Sequence, residues 1–249
     1  MASLTRGPKP MLSYVWRQDL APVLRIDPVL HYYPLLSCYQ EPHAPANVWK
    51  DETGAITGCL LPCDPPGRAW LLAATEDAVL ALTREVPNDL AVTIPLWADS
   101  LVSSVAPERL LSTDALAVCT EASFCPCPPQ NGLILRPLES PPDAPGDRRR
   151  ESMARLSYLA CFAGSEIAGY CGYLADDHGS ASIETVVVAD EWRSAEVGRT
   201  LMAAAADRLL EKVERVIFSA GGDNQSALGT ARRVGFRTCY WLRCASPGE

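Results

Sequence analysis

The chain has 249 residues, 48% of them hydrophobic, with 22 basic against 30 acidic residues and a formal net charge of -8. That length and apolar content suffice for one large domain or two ordinary ones, each with its own core. The acidic balance excludes a general nucleic-acid or anionic-membrane surface, because both need clustered positive potential.

The start, Met1 to Trp16, carries charges and prolines and lacks an apolar run of signal-peptide length, and no later stretch approaches the roughly 20 apolar residues that span a bilayer. A cytoplasmic protein without membrane partners is expected. The first clear pattern is "NVWKDETGAITGCLL", which reads as a hairpin. It is followed by "RAWLLAA" as a strand, "TEDAVLALTREV" as a helix capped by Thr75, and "DLAVTIPL" as a strand.

Residues 138–152, "LESPPDAPGDRRRES", interrupt both apolar periodicities and read as a linker. They divide the chain into an expected N-terminal domain at 1–137 and a C-terminal domain at 153–249. The Arg148–Arg150 run within them reads as solvated charge. After the linker, "RLSYLACFAG" and "EIAGYCGYLAD" are strand-like runs around Gly164 and Ser165, a hairpin signature. The next strand, Ile183 to Val188, is nearly continuous in β-branched residues, so both faces are expected to be covered and the strand to be central in its sheet.

A helix is expected from about Arg199 to Lys212, with Leu201, Ala205 and Leu209 on its buried stripe. "RVIFSA" is a further buried strand. Asn224 or Asp223 caps a helix through residues 225–234, Gly235 stops it, and "FRTCYWLRC" is the last strand. The order of elements in the first half thus echoes that of the second. The loops differ: about three residues join strand to helix in the first half and roughly ten in the second, and only the longer can wrap a phosphate group.

Most of the ten cysteines stand singly in apolar runs, as Cys119, Cys161, Cys171 and Cys239 do, and read as small buried thiols. Cys59 with Cys63, and Cys125 with Cys127, lack the spacing and the histidine partners of a zinc site, so no metal is expected. No G-x-G-x-x-G follows a strand, and "GYCGY" lies inside a hairpin, which sets dinucleotide binding aside.

The stretch Arg193, Ser194, Ala195, Glu196, Val197, Gly198, preceded by Trp192 and continued by "GRTLMAAA", resembles the central signature of the GNAT superfamily of acyl-CoA-dependent N-acyltransferases. That signature is an arginine or glutamine, two residues, glycine, one residue, and glycine or alanine opening a helix. Downstream, Asn224, Ala227 and the pair Gly235 and Phe236 are similar to a second pattern of the family. The resemblance covers residues 156–243 and extends to 47–120 as a faint copy without the motifs. It implies an α/β (α+β) fold: a mixed, mostly antiparallel sheet flanked by helices, in two related units, the first degenerate. It also implies that the second unit is abbreviated, because the segment between "GLILRPL" and Leu156 is too short and proline-rich for the strand and two helices that usually precede the hairpin.

The resemblance implies acetyl-CoA as acyl donor. Val186, Val187 and Val188 would pair with its pantetheine arm, and Arg193 through Arg199 with Asn224 would surround its phosphates. Glu184 stands where several members carry the carboxylate that takes the amine's proton. It reads equally as a strand-end carboxylate in a salt bridge. Tyr158, Tyr170 and Tyr240 are candidate acids, since Ala231 replaces the family's usual tyrosine. Two functions follow as expectations: transfer of an acetyl group to a primary amine on a small molecule or peptide, or a non-catalytic module that binds a ligand or partner.

Overall fold

A computed structural model describes residues 10–63, 68–130, 132–141, 155–175, 179–193 and 195–247. The chain forms two compact units. The first comprises the residues up to Thr113 together with those from Trp241 onward, and the second Asp114–Tyr240.

The first unit contains β1 (Met11–Trp16), α1 (Arg17–Leu24), α2 (Tyr32–Gln40), β2 (Pro45–Lys50), β3 (Ile56–Cys63), β4 (Arg68–Ala73), α3 (Glu76–Thr83), β5 (Ala91–Pro95) and α4 (Asp99–Val105). Its sheet runs β1-β2-β3-β4-β5, antiparallel except for the parallel pair β4 and β5, which α3 connects. Alternation along the strands sends Leu60, Ala69 and Leu71 into one core with Val79 and Leu82 of α3. Val48, Cys59 and Leu61 enter the other core, with Leu20 and Leu24 of α1 and Leu35 of α2.

Between β6 (Leu110–Thr120), which enters it at Asp114, and β12 (Arg237–Ser246), which leaves it at Trp241, the second unit contains β7 (Leu133–Leu138), β8 (Ser157–Ala163), β9 (Glu166–Ala175), β10 (Ser180–Val188), α5 (Val197–Leu210), β11 (Arg215–Gly221) and α6 (Gln225–Val234). Its sheet runs β7-β8-β9-β10-β11-β6, again with one parallel pair, β10 and β11, joined by the crossover helix α5. Leu201, Ala205 and Leu209 of α5 are buried as their spacing requires, in a core with Ala168, Ile183, Val216 and Val234. The expected pair of related α/β units, mostly antiparallel and flanked by helices, is therefore present.

The repeat also survives in detail. Gly58 of β3 and Gly169 of β9 occupy corresponding places, opposite Ala73 and Val188, the last residues of β4 and β10. A Cβ on Gly58 would lie 2.9 Å from both Ala78 and Leu82 of α3, and one on Gly169 would lie 2.6 Å from the Val187 carbonyl oxygen and 3.1 Å from Val197 of α5. Gly58 lets α3 approach the sheet, and Gly169 admits both the β10 backbone at Val187 and α5. We expect Gly169→Ala to cost about 1–3 kcal/mol by overpacking, read as a lowered Tm; an unchanged Tm would show that the helix is not held at this distance.

Three expectations change. First, the division into units does not fall in 138–152, most of which lies outside the described residues, as does the Arg148–Arg150 run. From Asp114 onward β6 pairs with β11, from Asp114↔Gly221 to Thr120↔Arg215, and so belongs with the second unit. Conversely, Leu242–Ala245 of β12 pairs with β5 in the first unit. The last strand of each repeat is thus exchanged, and the first unit is not contiguous in sequence.

Second, "GLILRPL" is itself the strand expected to be missing before the second hairpin, because β7 pairs along its length with β8. The first unit has a strand and two helices, β1, α1 and α2, ahead of its own hairpin. Third, Cys239 is exposed, since the buried residues of β12 are Leu242, Cys244 and Ala245, further along the strand. Cys119, Cys161 and Cys171 are buried as expected, and burial pushes the Cys171 thiol up to about 12. Among the described residues no helix is long and apolar enough to cross a membrane, and no three His, Cys, Asp or Glu side chains are placed to hold a metal ion.

Candidate functional site

The second unit opens a cleft of about 1050 Å³ where its parallel strands separate. β10 and β11 pair from Ser180↔Arg215 to Ile183↔Phe218 and no further. The cause is a bulge: β9 faces Ile183 with Tyr173 and Thr185 with Gly172, leaving Glu184 as the extra residue. From there β10 stays on β9 through Val186↔Cys171, Val187↔Tyr170 and Val188↔Gly169. Its other edge therefore presents unladdered N–H and C=O groups to the cleft. Only the first half of β10 is covered on both faces, and Val187 is exposed, which corrects the reading of Ile183 to Val188 as buried throughout.

Glu184, exposed at the bulge, lines the cleft with Val186, Val187 and Val188. At the other end stands the start of α5. A single helical turn at Asp190–Trp192 leads through Arg193 to Ala195 and Glu196, while Ser194 lies outside the described residues. The helix begins at Val197, two residues earlier than its amphipathic pattern suggests, and its first internal bond runs from Thr200 N–H to the Glu196 carbonyl. The N–H groups of Val197, Gly198 and Arg199 precede that bond, and with the positive end of the helix dipole they suit an anion.

Glu196 has φ 57° and is the non-glycine residue with positive φ among the described residues. A left-handed backbone costs a side-chain-bearing residue about 1–2 kcal/mol, which accounts for the glycine that this position ordinarily takes. Its carboxylate makes no capping bond to the helix start. It accepts instead from Arg199 Nη1 at 3.2 Å and from Arg233 Nη1 at 2.5 Å. Partial burial pushes the Glu196 carboxyl up, but the hydrogen bonds and charges of Arg233 and Arg199 outweigh it and hold it below the usual glutamate range. With its folded pKa depressed, this cluster stabilises the fold above the ordinary glutamate pKa and loses that contribution as pH falls through the lowered value.

Arg199 also carries a buried Nε with no hydrogen-bond partner among the described residues. An orphaned guanidinium N–H beside a helix start calls for an acceptor from outside the chain. Arg193 is less engaged, forming a surface ion pair with Asp190 at 2.7 Å, which contributes little to stability.

α6 closes the far side of the cleft. Asn224 lines it while its side-chain oxygen accepts from Ala227 N–H at 3.1 Å, so the residue caps α6 as its sequence position indicates. Gly235 ends the helix at φ 105°, where an added Cβ would lie 1.9 Å from the Ser123 carbonyl oxygen. Ala231 is buried in the core, and the cleft-facing residues of α6 are Ser226, Ala227, Thr230 and Arg233. A tyrosine at 231 would therefore face the core.

Of the candidate acids, none lines the cleft among the described residues. Tyr158 is buried, with its ring edge-on to Tyr170 at 6.4 Å; burial first, and then Tyr170, pushes its phenol up. Arg233, which the sequence reading does not name, is brought to Glu196 across 37 residues of chain. Local spacing gives no sign of such a pairing.

The first unit offers no counterpart to this cradle. There Ala74 and Thr75 alone separate β4 from α3, the Thr75 hydroxyl already accepts from Ala78 N–H at 3.3 Å, and Glu76 and Asp77 occupy the first turn. Two carboxylates at a helix start oppose a phosphate.

Residues 124–236 match the acetyltransferase (GNAT) family. No curated protein matches the chain. Among solved structures, a Drosophila protein superposes with TM-score 0.69 at 13% identity, with 96% of this chain and 99% of that one covered. A GCN5-related N-acetyltransferase from Sphaerobacter thermophilus gives 0.65 at 14% identity, covering 96% and 97%. A tandem GNAT protein from the clavulanic acid biosynthesis pathway gives 0.57 at 14% identity, covering 96% and 98%. At these identities the likeness is one of fold, and it extends over both units.

Proposed function

On the match of residues 124–236 to the acetyltransferase (GNAT) family, we propose that the chain is an N-acetyltransferase, taking its acyl group from acetyl-CoA and passing it to a primary amine. One observation carries the reading: the open edge of β10 beyond the bulge runs to a helix start where the N–H groups of Val197, Gly198 and Arg199 converge with the unpartnered Nε of Arg199. An elongated ligand with an amide-bearing arm and a pyrophosphate fits both ends of that cleft.

When bound, acetyl-CoA supplies an activated thioester carbonyl. The residues of this chain do the rest. Val186 to Val188 offer strand-like hydrogen bonds to the arm, the α5 start and Arg199 hold the phosphates, and Glu184 at the bulge takes a proton from the incoming ammonium so that the amine attacks as a neutral base. A thiolate with a pKa near 8.5 leaves without strong acid assistance, so the cleft functions without a tyrosine from α6.

A second reading has its own observation. The Glu196 carboxylate engages both Arg199 and Arg233, two of the cations a phosphate would use, as in a module that binds a ligand or partner without turnover. The purified protein tests the two readings directly. A ligand that binds only the native state raises Tm, and acetyl-CoA is expected to do so. No shift at millimolar acetyl-CoA would favour the non-catalytic module.

Gly198 locates the binding. A Cβ there would touch Val188 at 3.4 Å and Val186 at 3.9 Å, which is ordinary contact, so alanine fits where a larger side chain fills the wedge between β10 and α5. Gly198→Leu is expected to weaken acetyl-CoA at least tenfold, about 1.4 kcal/mol. Unchanged affinity in calorimetry of the folded variant would remove the cradle.

A further inference from the structure

The first unit parts its parallel strands as the second does, and the space between them has a different chemistry. β4 and β5 pair only from Arg68↔Ala91 to Trp70↔Thr93. β4 then stays on β3 as far as Ala73, and β5 stays on β12 with Pro95 opposite Leu242. Between them lies a cavity of about 310 Å³, walled by Leu24 of α1, Cys59 of β3, Trp70, Ile94 and Leu242. That is roughly twice the volume of the apolar cavity of about 150 Å³ that accepts benzene.

No Asp, Glu, Lys or Arg is among the described residues that line it. Its polar side chains are those of Thr57, Thr93 and His31. The His31 Nδ1 lies 2.9 Å from the Leu24 carbonyl oxygen, which can only accept, so Nδ1 donates. The Cys59 thiol in the wall is held neutral, because burial first, and then Cys38, pushes it up to about 12. An ion entering this space would lose hydration with no opposite charge to replace it. The mouth is apolar as well, since Val23 and Trp97 line the cavity and are 51% and 49% exposed. Large exposed apolar side chains around a concave apolar space are the marks of a ligand site.

We propose that the first unit carries a separate binding site for an uncharged, apolar small molecule of bicyclic-aromatic or medium-chain aliphatic size, held between β4 and β5. Arg199 and Arg233 line the cleft of the second unit, whereas Trp70 and Trp97 line this cavity. It is independent of acetyl-CoA, and its ligand has an apolar body with at most a hydroxyl or carbonyl for Thr57, Thr93 or His31.

The neutral fluorophore N-phenyl-1-naphthylamine, titrated into the intact chain, tests it. Saturable enhancement at one site per chain is expected, reversed by 1-decanol at least tenfold more effectively than by decanoate. Val23→Trp, at a half-exposed position that tolerates the larger ring, and Cys59→Phe, which fills the cavity from its wall, are each expected to weaken the probe at least tenfold. The Tm shift produced by acetyl-CoA should not change in either. Should Cys59→Phe fail to fold, Val23→Trp decides alone. Absence of saturable enhancement, undiminished binding by a folded variant, or equal displacement by decanoate would each overturn the proposal.

Discussion

Replacing Glu184 by glutamine is expected to lower turnover about 100-fold or more while leaving acetyl-CoA affinity nearly unchanged. General-base catalysis contributes about 10²–10⁴ to a rate, and glutamine keeps the shape and hydrogen-bonding reach of glutamate while losing its ability to accept a proton. The split between turnover and affinity follows from position. Glu184 is the extra residue of the bulge, next to the last paired residue Ile183, whereas the N–H groups proposed to hold the phosphates gather at the start of α5 beyond the far end of β10. A group acting only in the chemical step lowers kcat and kcat/KM together. Thiol release against a panel of primary amines identifies an acceptor and then measures the variant. The pH profile adds an independent readout, since the limb that reports deprotonation of the base should vanish with Glu184→Gln. Wild-type turnover would return Glu184 to the alternative of a strand-end carboxylate with a structural ion pair.

What the sequence made legible was local. The hairpin around Gly164, the capping of α3 by Thr75, the capping of α6 by Asn224 and the stop at Gly235 all depend on residues within a few positions of one another, and each is present. The echo between the halves was also readable, because the order of hairpin, strand, helix and strand recurs in each; the correspondence of Gly58 with Gly169 emerges only from the structure. The exchange of β6 and β12 was not readable. β6 carries the apolar run Ala115–Cys119 and β12 the run Cys239–Leu242, and such runs mark a strand but not which strand lies alongside. Partner choice depends on long-range pairing, as in Cys244↔Thr93 and Cys119↔Val216. The start of α5 was misplaced for a different reason. An αL residue normally announces itself as glycine, and Glu196 adopts that conformation with a side chain held by Arg199 and Arg233.

That pairing sets the second large effect. A hydrogen bond to a charged group contributes about 1.5–3 kcal/mol, so removing both cations with Arg199→Ala and Arg233→Ala is expected to weaken acetyl-CoA at least 100-fold. The loss has two parts. The phosphates forfeit their donors, and Glu196 is left as an uncompensated anion near them; two unit charges about 4 Å apart repel by roughly 1 kcal/mol in water and 4 at an effective dielectric of 20. Adding Glu196→Gly to the double variant removes the second part alone and is expected to restore binding at least threefold. In the wild-type background the same substitution frees Arg199 and Arg233 and should tighten acetyl-CoA at least threefold, less so at high salt. It should not lower Tm, because relief of the αL backbone, about 1–2 kcal/mol, offsets the loss of two partly exposed ion pairs. Calorimetry at low and high salt measures these changes. The decisive geometry is that Glu196 makes no capping bond to the helix N–H groups, so the anion seat itself is not taken by the chain's own carboxylate. If Glu196→Gly leaves affinity where it was, the carboxylate never faces the phosphates. If the double alanine variant binds acetyl-CoA as tightly as wild type, the pyrophosphate lies elsewhere and the cradle at α5 is not the cofactor's site.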